Sequence, residues 1–252
     1  MSIATNVAAL RERINTAAHR AGRNPREITL MAVTKTVSPD RIREAYAAGI
    51  RVFGENRVQE FEAKVQALRD LAGSEWHMIG HLQSNKSGKA AELFGHIDSV
   101  DSLKLAQRIN SAASELRKKF PVLIEVNIGG ETAKSGVAPG SDELNNLLAA
   151  GPELWSLEFR GLMTVPPYHD DPERSRPYFK KMRDLFHQIA ARNLPGVRME
   201  VLSMGMSHDF EVAIEEGSTC VRIGTAILGE RPIRTSREVE LDSSACRSKL
   251  RR

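Results

Sequence analysis

Short runs of apolar, β-favouring residues alternate along the chain with longer stretches whose apolar positions recur at helical spacing. Near-continuous apolar strands separated by helices are typical of a parallel sheet covered by helices. The pattern predicts eight strands, at residues 28–35, 51–56, 75–82, 96–100, 121–128, 157–165, 198–204 and 219–228.

The intervals between the strands carry helical patterns with recognisable start and stop signals. An amphipathic helix precedes the first strand, because apolar residues recur at helical spacing from Ile3 to Ala18 and Gly22 ends the pattern. Ser38 and Pro39 predict the N-cap and first residue of the next helix. The following helix is predicted to have one apolar face, which contains Phe61, Val65, Leu68 and Ala72.

Eight parallel strands in 252 residues predict a TIM-type (β/α)8 barrel with an extra N-terminal helix at its base and no second domain. A doubly wound open sheet is the alternative on pattern alone. No glycine-rich nucleotide-binding motif follows the first strand, which weighs against that alternative. We predict a barrel over residues 1–232 and a basic, mobile tail over residues 233–252.

Charge and composition narrow the class of protein. The formal net charge is +4, and residues 231–252 account for all of it, so the barrel itself has no predicted basic face. Aromatic residues make up only 5% of the chain, which argues against nucleic-acid binding. Two cysteines cannot form a disulfide scaffold, and neither a membrane-spanning run nor an apolar signal-peptide core occurs. We therefore expect a cytoplasmic protein with no membrane or nucleic-acid partner.

In a barrel of this type the chemistry lies where the strands end, and Lys35 ends the first strand. Partial burial lowers the pKa of a lysine, and a neutral amine is what a Schiff base requires. The alternative is a lysine whose ammonium group simply reaches solvent.

The last two strand ends carry small and hydroxyl-bearing residues, at 203–207 and at Gly224 and Thr225. Loops after strands seven and eight commonly bind phosphate in barrels, although ordinary turns use the same residues. Arg222 lies between apolar neighbours and needs a partner. That partner is either an acid such as Glu125 or Glu200, or a ligand ring nitrogen.

Metal and acid–base candidates are weaker. His77 and His81 lie four residues apart on one strand, roughly 13 Å, so they cannot share one ion and we expect no metal site. Tyr168, after the sixth strand, is a candidate acid or base but is equally consistent with an ordinary loop residue.

Seven motifs in order resemble the pyridoxal phosphate homeostasis proteins, which are single-domain relatives of the alanine racemase N-terminal barrel. They are AVTK (32–35), FGEN (53–56), HMIGHLQSNK (77–86), HIDSVD (96–101), GLM (161–163), LSMGMS (202–207) and VRIGT (221–225). The resemblance implies a barrel carrying pyridoxal 5′-phosphate as a Schiff base on Lys35. It also implies that Asn56 lies beside the cofactor, that Arg222 lies near its pyridine nitrogen, and that the phosphate contacts come from Ser203, Gly205, Ser207, Gly224 and Thr225.

Two functions are compatible with such a site. The first is a non-catalytic protein that holds, buffers or delivers the cofactor, with pyridoxal-phosphate-dependent apo-enzymes as recipients. The second is an amino-acid racemase, with Lys35 as one base and Tyr168 or His81 as the other. An arginine at the ring nitrogen weakens carbanion stabilisation, and the chain lacks the additional domain that supplies a tyrosine base in two-domain racemases. We therefore favour the carrier, as a monomer.

Overall fold

The apolar runs fold as eight parallel strands, each hydrogen-bonded to the next, and the eighth pairs with the first to close a barrel. The structure is a computed structural model that describes residues 2–229. The predicted (β/α)8 barrel is confirmed, and the open-sheet alternative is excluded by the closure. The strands are β1 (Thr29–Val33), β2 (Val52–Glu55), β3 (Glu75–Met78), β4 (His96–Val100), β5 (Phe120–Glu125), β6 (Leu157–Met163), β7 (Val197–Met206) and β8 (Cys220–Ile223).

Helices follow the strands on the outer face. They are α1 (Ile3–Arg20), α2 (Pro39–Ala47), α3 (Val58–Val65), α4 (Ser87–Leu93), α5 (Leu103–Glu115), α6 (Asp142–Ala149), α7 (Arg176–Ala191), α8 (Phe210–Glu215) and α9 (Thr225–Leu228). Short 3₁₀ turns extend several of them. Within residues 2–229, none of the helices is both long enough and apolar enough to cross a membrane.

The N-terminal helix lies on the side of the barrel, not at its base. α1 packs against α8, α9 and α2, and buries Ile3, Val7, Leu10 and Ile14. The Asn6 side-chain amide donates to the Ile227 carbonyl at 3.0 Å, which joins α1 to α9. Because α9 has only four residues, α1 takes the place of a full eighth helix over the junction of β8 and β1.

Several element boundaries differ from the sequence prediction, for example at β3, which ends at Met78 and not at residue 82, and two of these differences have a clear local cause. β8 ends at Ile223 because the chain turns into α9, whose Ile227 and Leu228 amides bond the Gly224 carbonyl. α3 ends at Val65 and continues as a 3₁₀ turn, which has fewer residues per turn and shifts the phase of the apolar face. Ala72 is consequently exposed, and Leu71 is buried in its place.

The predicted tail, residues 233–252, lies outside the described residues. Its mobility and the domain boundary at residue 232 stay predictions.

Candidate functional site

Four neighbouring strands, in the order β7, β8, β1 and β2, carry the predicted site residues in their carboxyl-terminal parts or just beyond them. β1 pairs with both β2 and β8, and β8 pairs with β7, so these ends form one side of the barrel mouth. The residues so placed are Lys35, Asn56, Ser203, Gly205, Ser207, Arg222, Gly224 and Thr225.

Lys35 is half-buried and follows β1 by two residues. It lines a small cavity of about 30 Å³ together with Gly224 and Thr225. The next residue, Thr36, has a φ of 62°, a left-handed conformation that is uncommon outside glycine, and its amide donates to the Glu60 carboxylate. This anchored turn follows β1 directly and sets the position of Lys35 beside the start of α9.

A buried ion pair supports the same turn from behind. Lys64 Nζ lies 2.7 Å from Glu55 Oε1 and donates to the Thr34 carbonyl at 2.9 Å. The Thr34 hydroxyl donates to the same Glu55 oxygen at 2.5 Å. Burial raises the pKa of Glu55, and the Lys64 charge opposes that rise. Glu55 lies in the FGEN motif at the end of the second predicted strand, but neither it nor Glu60 or Lys64 was predicted to be functional. A further signal was the i, i+4 spacing of Glu60 and Lys64.

Arg222 is almost fully buried in β8, with 4% of its surface exposed. Its guanidinium donates to the Ser203 hydroxyl and to the Thr164 carbonyl, both at 2.7 Å. Among the described residues no carboxylate forms an ion pair with it, and Glu200 pairs with Arg160 instead, at 2.5 Å. The sequence left two possible partners for Arg222, an acid or a ligand ring nitrogen, and the structure therefore excludes an acid as a direct partner. A guanidinium has five N–H donors, so the group retains capacity for a ligand acceptor.

The segment predicted as a phosphate loop is partly strand. β7 continues to Met206, so Ser203 and Gly205 lie within it, and the buried Ser203 hydroxyl already accepts from Arg222. Ser207 lies in the turn that follows, which the Asp209 carboxylate fixes by accepting from the Met206 amide at 2.7 Å. Gly205 has a structural explanation: its φ is 94°, and an added Cβ would lie 2.6 Å from the Ala213 Cβ.

Gly205→Ala is therefore expected to destabilise the barrel by about 2–4 kcal/mol, the sum of left-handed strain and overpacking against α8. Urea unfolding measures the change. Gly88→Ala is the matched control, because Gly88 lies in α4 with open space around it and the substitution should stabilise by up to about 1 kcal/mol. Equal unfolding midpoints for Gly205→Ala and the wild type would contradict this account.

Glu125 ends β5 inside the barrel, and the sequence analysis considered it only as a partner of Arg222. It is 8% exposed, its Oε2 has no hydrogen-bond partner among residues 2–229, and its Oε1 lies 3.4 Å from the Ser135 hydroxyl. Burial, assisted by the Asp101 charge, raises the pKa of Glu125 to about 7. The barrel interior thus holds a carboxyl group that titrates near neutrality.

The raised pKa of Glu125 predicts a pH-dependent stability. Glu125 keeps its proton up to about pH 7 in the folded state, whereas it loses the proton near pH 4.3 in the unfolded chain. The free energy of unfolding therefore falls as the pH rises between those values. From pH 5 to pH 8, the free energy of unfolding of Glu125→Gln, measured in urea relative to that of the wild type, should rise by about 2–3 kcal/mol. Glu153→Gln, at an exposed position, is the control and should show a constant difference. A constant difference for Glu125→Gln would refute the assignment.

The two alternative bases are both open to solvent. Tyr168 is 71% exposed, and its ring centroid lies 5.3 Å from that of His208. The His81 side chain is 58% exposed, with Nδ1 3.1 Å from Asp101 Oδ2. His81 lines a separate cavity of about 250 Å³ with Asn56, whereas Lys35 lines the small cavity at α9.

Comparison with known proteins identifies the relatives of this chain. The family described as alanine racemase, N-terminal domain, matches residues 5–232. The pyridoxal phosphate homeostasis protein of Aquifex aeolicus is 49% identical over 220 residues, which are 87% of this chain and 94% of that protein. The protein of the same name from Escherichia coli K12 is 44% identical over 231 residues, 91% and 97% of the two chains.

Solved structures agree with these matches. PipY of Synechococcus elongatus, described with pyridoxal phosphate bound, superposes with a TM-score of 0.76 at 37% identity, over 90% of this chain and all of that one. An alanine racemase of Clostridium difficile superposes with a TM-score of 0.65 at 16% identity, over 91% of this chain and 58% of the racemase. The second likeness concerns the fold alone.

Proposed function

This chain belongs to the alanine racemase N-terminal domain family and, within it, to the pyridoxal phosphate homeostasis proteins; from that premise we propose that it holds pyridoxal 5′-phosphate on Lys35 as a non-catalytic carrier. The observation that supports the site most directly is the shared cavity of Lys35, Gly224 and Thr225, one strand from the buried Arg222. PipY, a relative at 37% identity, is described with the same cofactor bound.

The residues present fit the three reactive parts of the cofactor. The Lys35 amine would bond the aldehyde carbon with loss of water. Gly224 and Thr225, beside Lys35 at the start of α9, would supply backbone amides and a hydroxyl to the phosphate, together with Ser207. Arg222 would donate to the pyridine nitrogen, because its guanidinium is buried with no carboxylate paired to it among residues 2–229. Asn56 follows β2 beside β1 and would flank the ring.

The environment that this chain builds favours holding the cofactor over using it. Bound pyridoxal phosphate supplies an electron sink, most effectively when a carboxylate keeps its ring nitrogen protonated. A permanently charged arginine at that position disfavours the proton. Racemisation also needs a base on each face of the substrate, and the exposed Tyr168 and His81 are not enclosed with Lys35. Both features reduce carbanion chemistry without weakening the hold on the cofactor.

Covalent trapping tests the site. Wild-type protein loaded with pyridoxal phosphate is reduced with borohydride, digested, and analysed by peptide mass. We expect one pyridoxyl group per chain, on the peptide that contains Lys35. Modification spread over several exposed lysines, or no stable adduct, would overturn the assignment.

Proton exchange tests the absence of turnover. The loaded protein is incubated in deuterated water with L-alanine and, separately, with D-alanine, and an alanine racemase serves as the positive control. We expect no Lys35-dependent deuterium incorporation at Cα above the rate of free cofactor. Exchange at enzymatic rates that Tyr168→Phe or His81→Gln abolishes would instead establish the racemase.

Delivery is the third component of the proposal. An apo-enzyme that depends on pyridoxal phosphate should regain activity faster from the loaded carrier than from an equal concentration of free cofactor if the transfer is direct. Cytoplasmic location and a monomeric state stay predictions from the sequence.

A further inference from the structure

A second cluster of ionisable side chains lies at the opposite end of the barrel from Lys35, where β3 and β4 begin. Glu75 and His77 lie on β3 and His96 opens β4, and the strand register places His77 directly beside His96. The two imidazole rings stack with centroids 4.0 Å apart and planes 6° from parallel. They line a cavity of about 320 Å³ to which all eight strands contribute.

The potential ligand atoms of these residues are close to one another. Glu75 Oε2 lies 3.9 Å from His77 Nε2 and 3.8 Å from His96 Nε2, and one ligand atom from each of the three residues lies within 4.8 Å of the other two. His77 Nδ1 lies 2.9 Å from Oδ2 of the buried Asp98. That bond directs His77 Nε2 away from Asp98, and Nε2 is buried without a hydrogen-bond partner in the part of the chain that the structure describes.

We propose that Glu75, His77 and His96 form a zinc site. Two imidazoles and one carboxylate are a donor set that Zn²⁺ takes in proteins, with water completing a tetrahedron. A carboxylate bonded to the far nitrogen of a ligating histidine is the usual partner that fixes the ring of such a ligand. Asp98 holds His77 in that way, and the cavity has room for the water.

The exposure of the three side chains indicates how the site would close. Metal bonds of about 2.0–2.2 Å require the ligand atoms to move closer together and the stacked rings to tilt. The side chains of Glu75 and His96 are 58% and 29% exposed and can rotate, whereas His77 is 12% exposed and is held by Asp98. Arg160 also lines the cavity, but Glu200 at 2.5 Å offsets its charge.

Calorimetric titration of the full chain with zinc chloride tests the site, with Cys246→Ser in every sample because a thiolate elsewhere also binds zinc. We expect one ion per chain, and a loss of affinity of more than about 100-fold in His96→Asn and in Glu75→Gln, since removing even an orienting partner costs 10–100-fold. His187→Asn, an exposed histidine on α7, is the control and should bind as the parent does.

A second measurement keeps the result independent of folding defects and of the cofactor. Zinc should raise the melting temperature of the parent protein but not that of His96→Asn, and pyridoxal phosphate uptake should be the same in both. Absence of saturable binding, or affinity unchanged in both ligand variants, would overturn the zinc site and leave the proposed function untouched.

Discussion

Lys35→Ala is expected to abolish covalent retention of pyridoxal phosphate while the barrel stays folded. Lys35 is half-buried at the end of β1, and the turn beyond it is anchored by the bond from the Thr36 backbone amide to Glu60. The side chain of Lys35 is therefore not needed for that anchor. Removing the amine eliminates the nucleophile that bonds the aldehyde carbon. The chromophore and the borohydride-stable adduct should both fall to background.

Two control variants make this result specific. Lys35→Arg keeps the positive charge without an amine that can form the bond, and should lose the adduct while retaining more phosphate affinity than Lys35→Ala. Lys134→Ala removes another half-buried lysine, whose Nζ donates to the Pro166 carbonyl, and should keep the full adduct. Loss of the adduct in Lys134→Ala together with its survival in Lys35→Ala would transfer the attachment site to the loop after β5.

Lys64→Met is expected to destabilise the protein by about 3–5 kcal/mol at pH 7.5, because it leaves a buried carboxylate without its partner. Glu55 is fully buried, and Lys64 bonds both its carboxylate and the Thr34 carbonyl. Denaturant unfolding should show the loss, and the loss should shrink as the pH falls, because burial raises the pKa of Glu55 and a proton can neutralise it. Since the pair supports the turn at Lys35, the dissociation of pyridoxal phosphate should also become faster.

A surface lysine and a double variant separate the ion pair from general effects. Lys89→Met removes exposed pairs with Glu62 and Glu92 and should cost less than about 1 kcal/mol. The double variant Glu55→Met/Lys64→Met removes both charges and should recover much of the loss. A Lys64→Met variant as stable as Lys89→Met would show that Glu55 is compensated by another group.

The strand ends were predictable because their signals are local. An apolar run that stops at Lys35, and another that contains Arg222, mark both residues whatever the rest of the chain does. The extent of β7 and β8 was not predictable from the sequence. Met204, Met206, Ile227 and Leu228 are apolar, and apolar residues fit a buried strand and a buried helix equally well. In β8 the strand ends because Gly224 is the N-cap of α9.

Contacts between elements were beyond the reach of sequence spacing. Lys64 and Glu60 have the spacing of a solvent-facing helical pair, and only the packing of α3 behind β1 and β2 buries Lys64 against Glu55. The expectation of no metal site compared His77 with His81 along one strand, whereas the register places His77 beside His96 on the next. The periodicity of a strand shows which of its residues share a face, but it does not show which side chains of the neighbouring strand lie beside them.

The position of α1 also has a consequence for how the chain folds. The first helix packs on α8 and α9 as well as on α2, so two of its helical partners are synthesised some two hundred residues after it. Asn6 bonds Ile227, and Arg23, just beyond the helix, bonds the carbonyls of Ile214 and Ser218. Contacts of such sequence separation form late and slow folding. The part of the apolar stripe of α1 that faces α8 and α9 can therefore be covered only after those helices form, so we expect the docking of α1 and the pairing of β8 with β1 to complete the fold together.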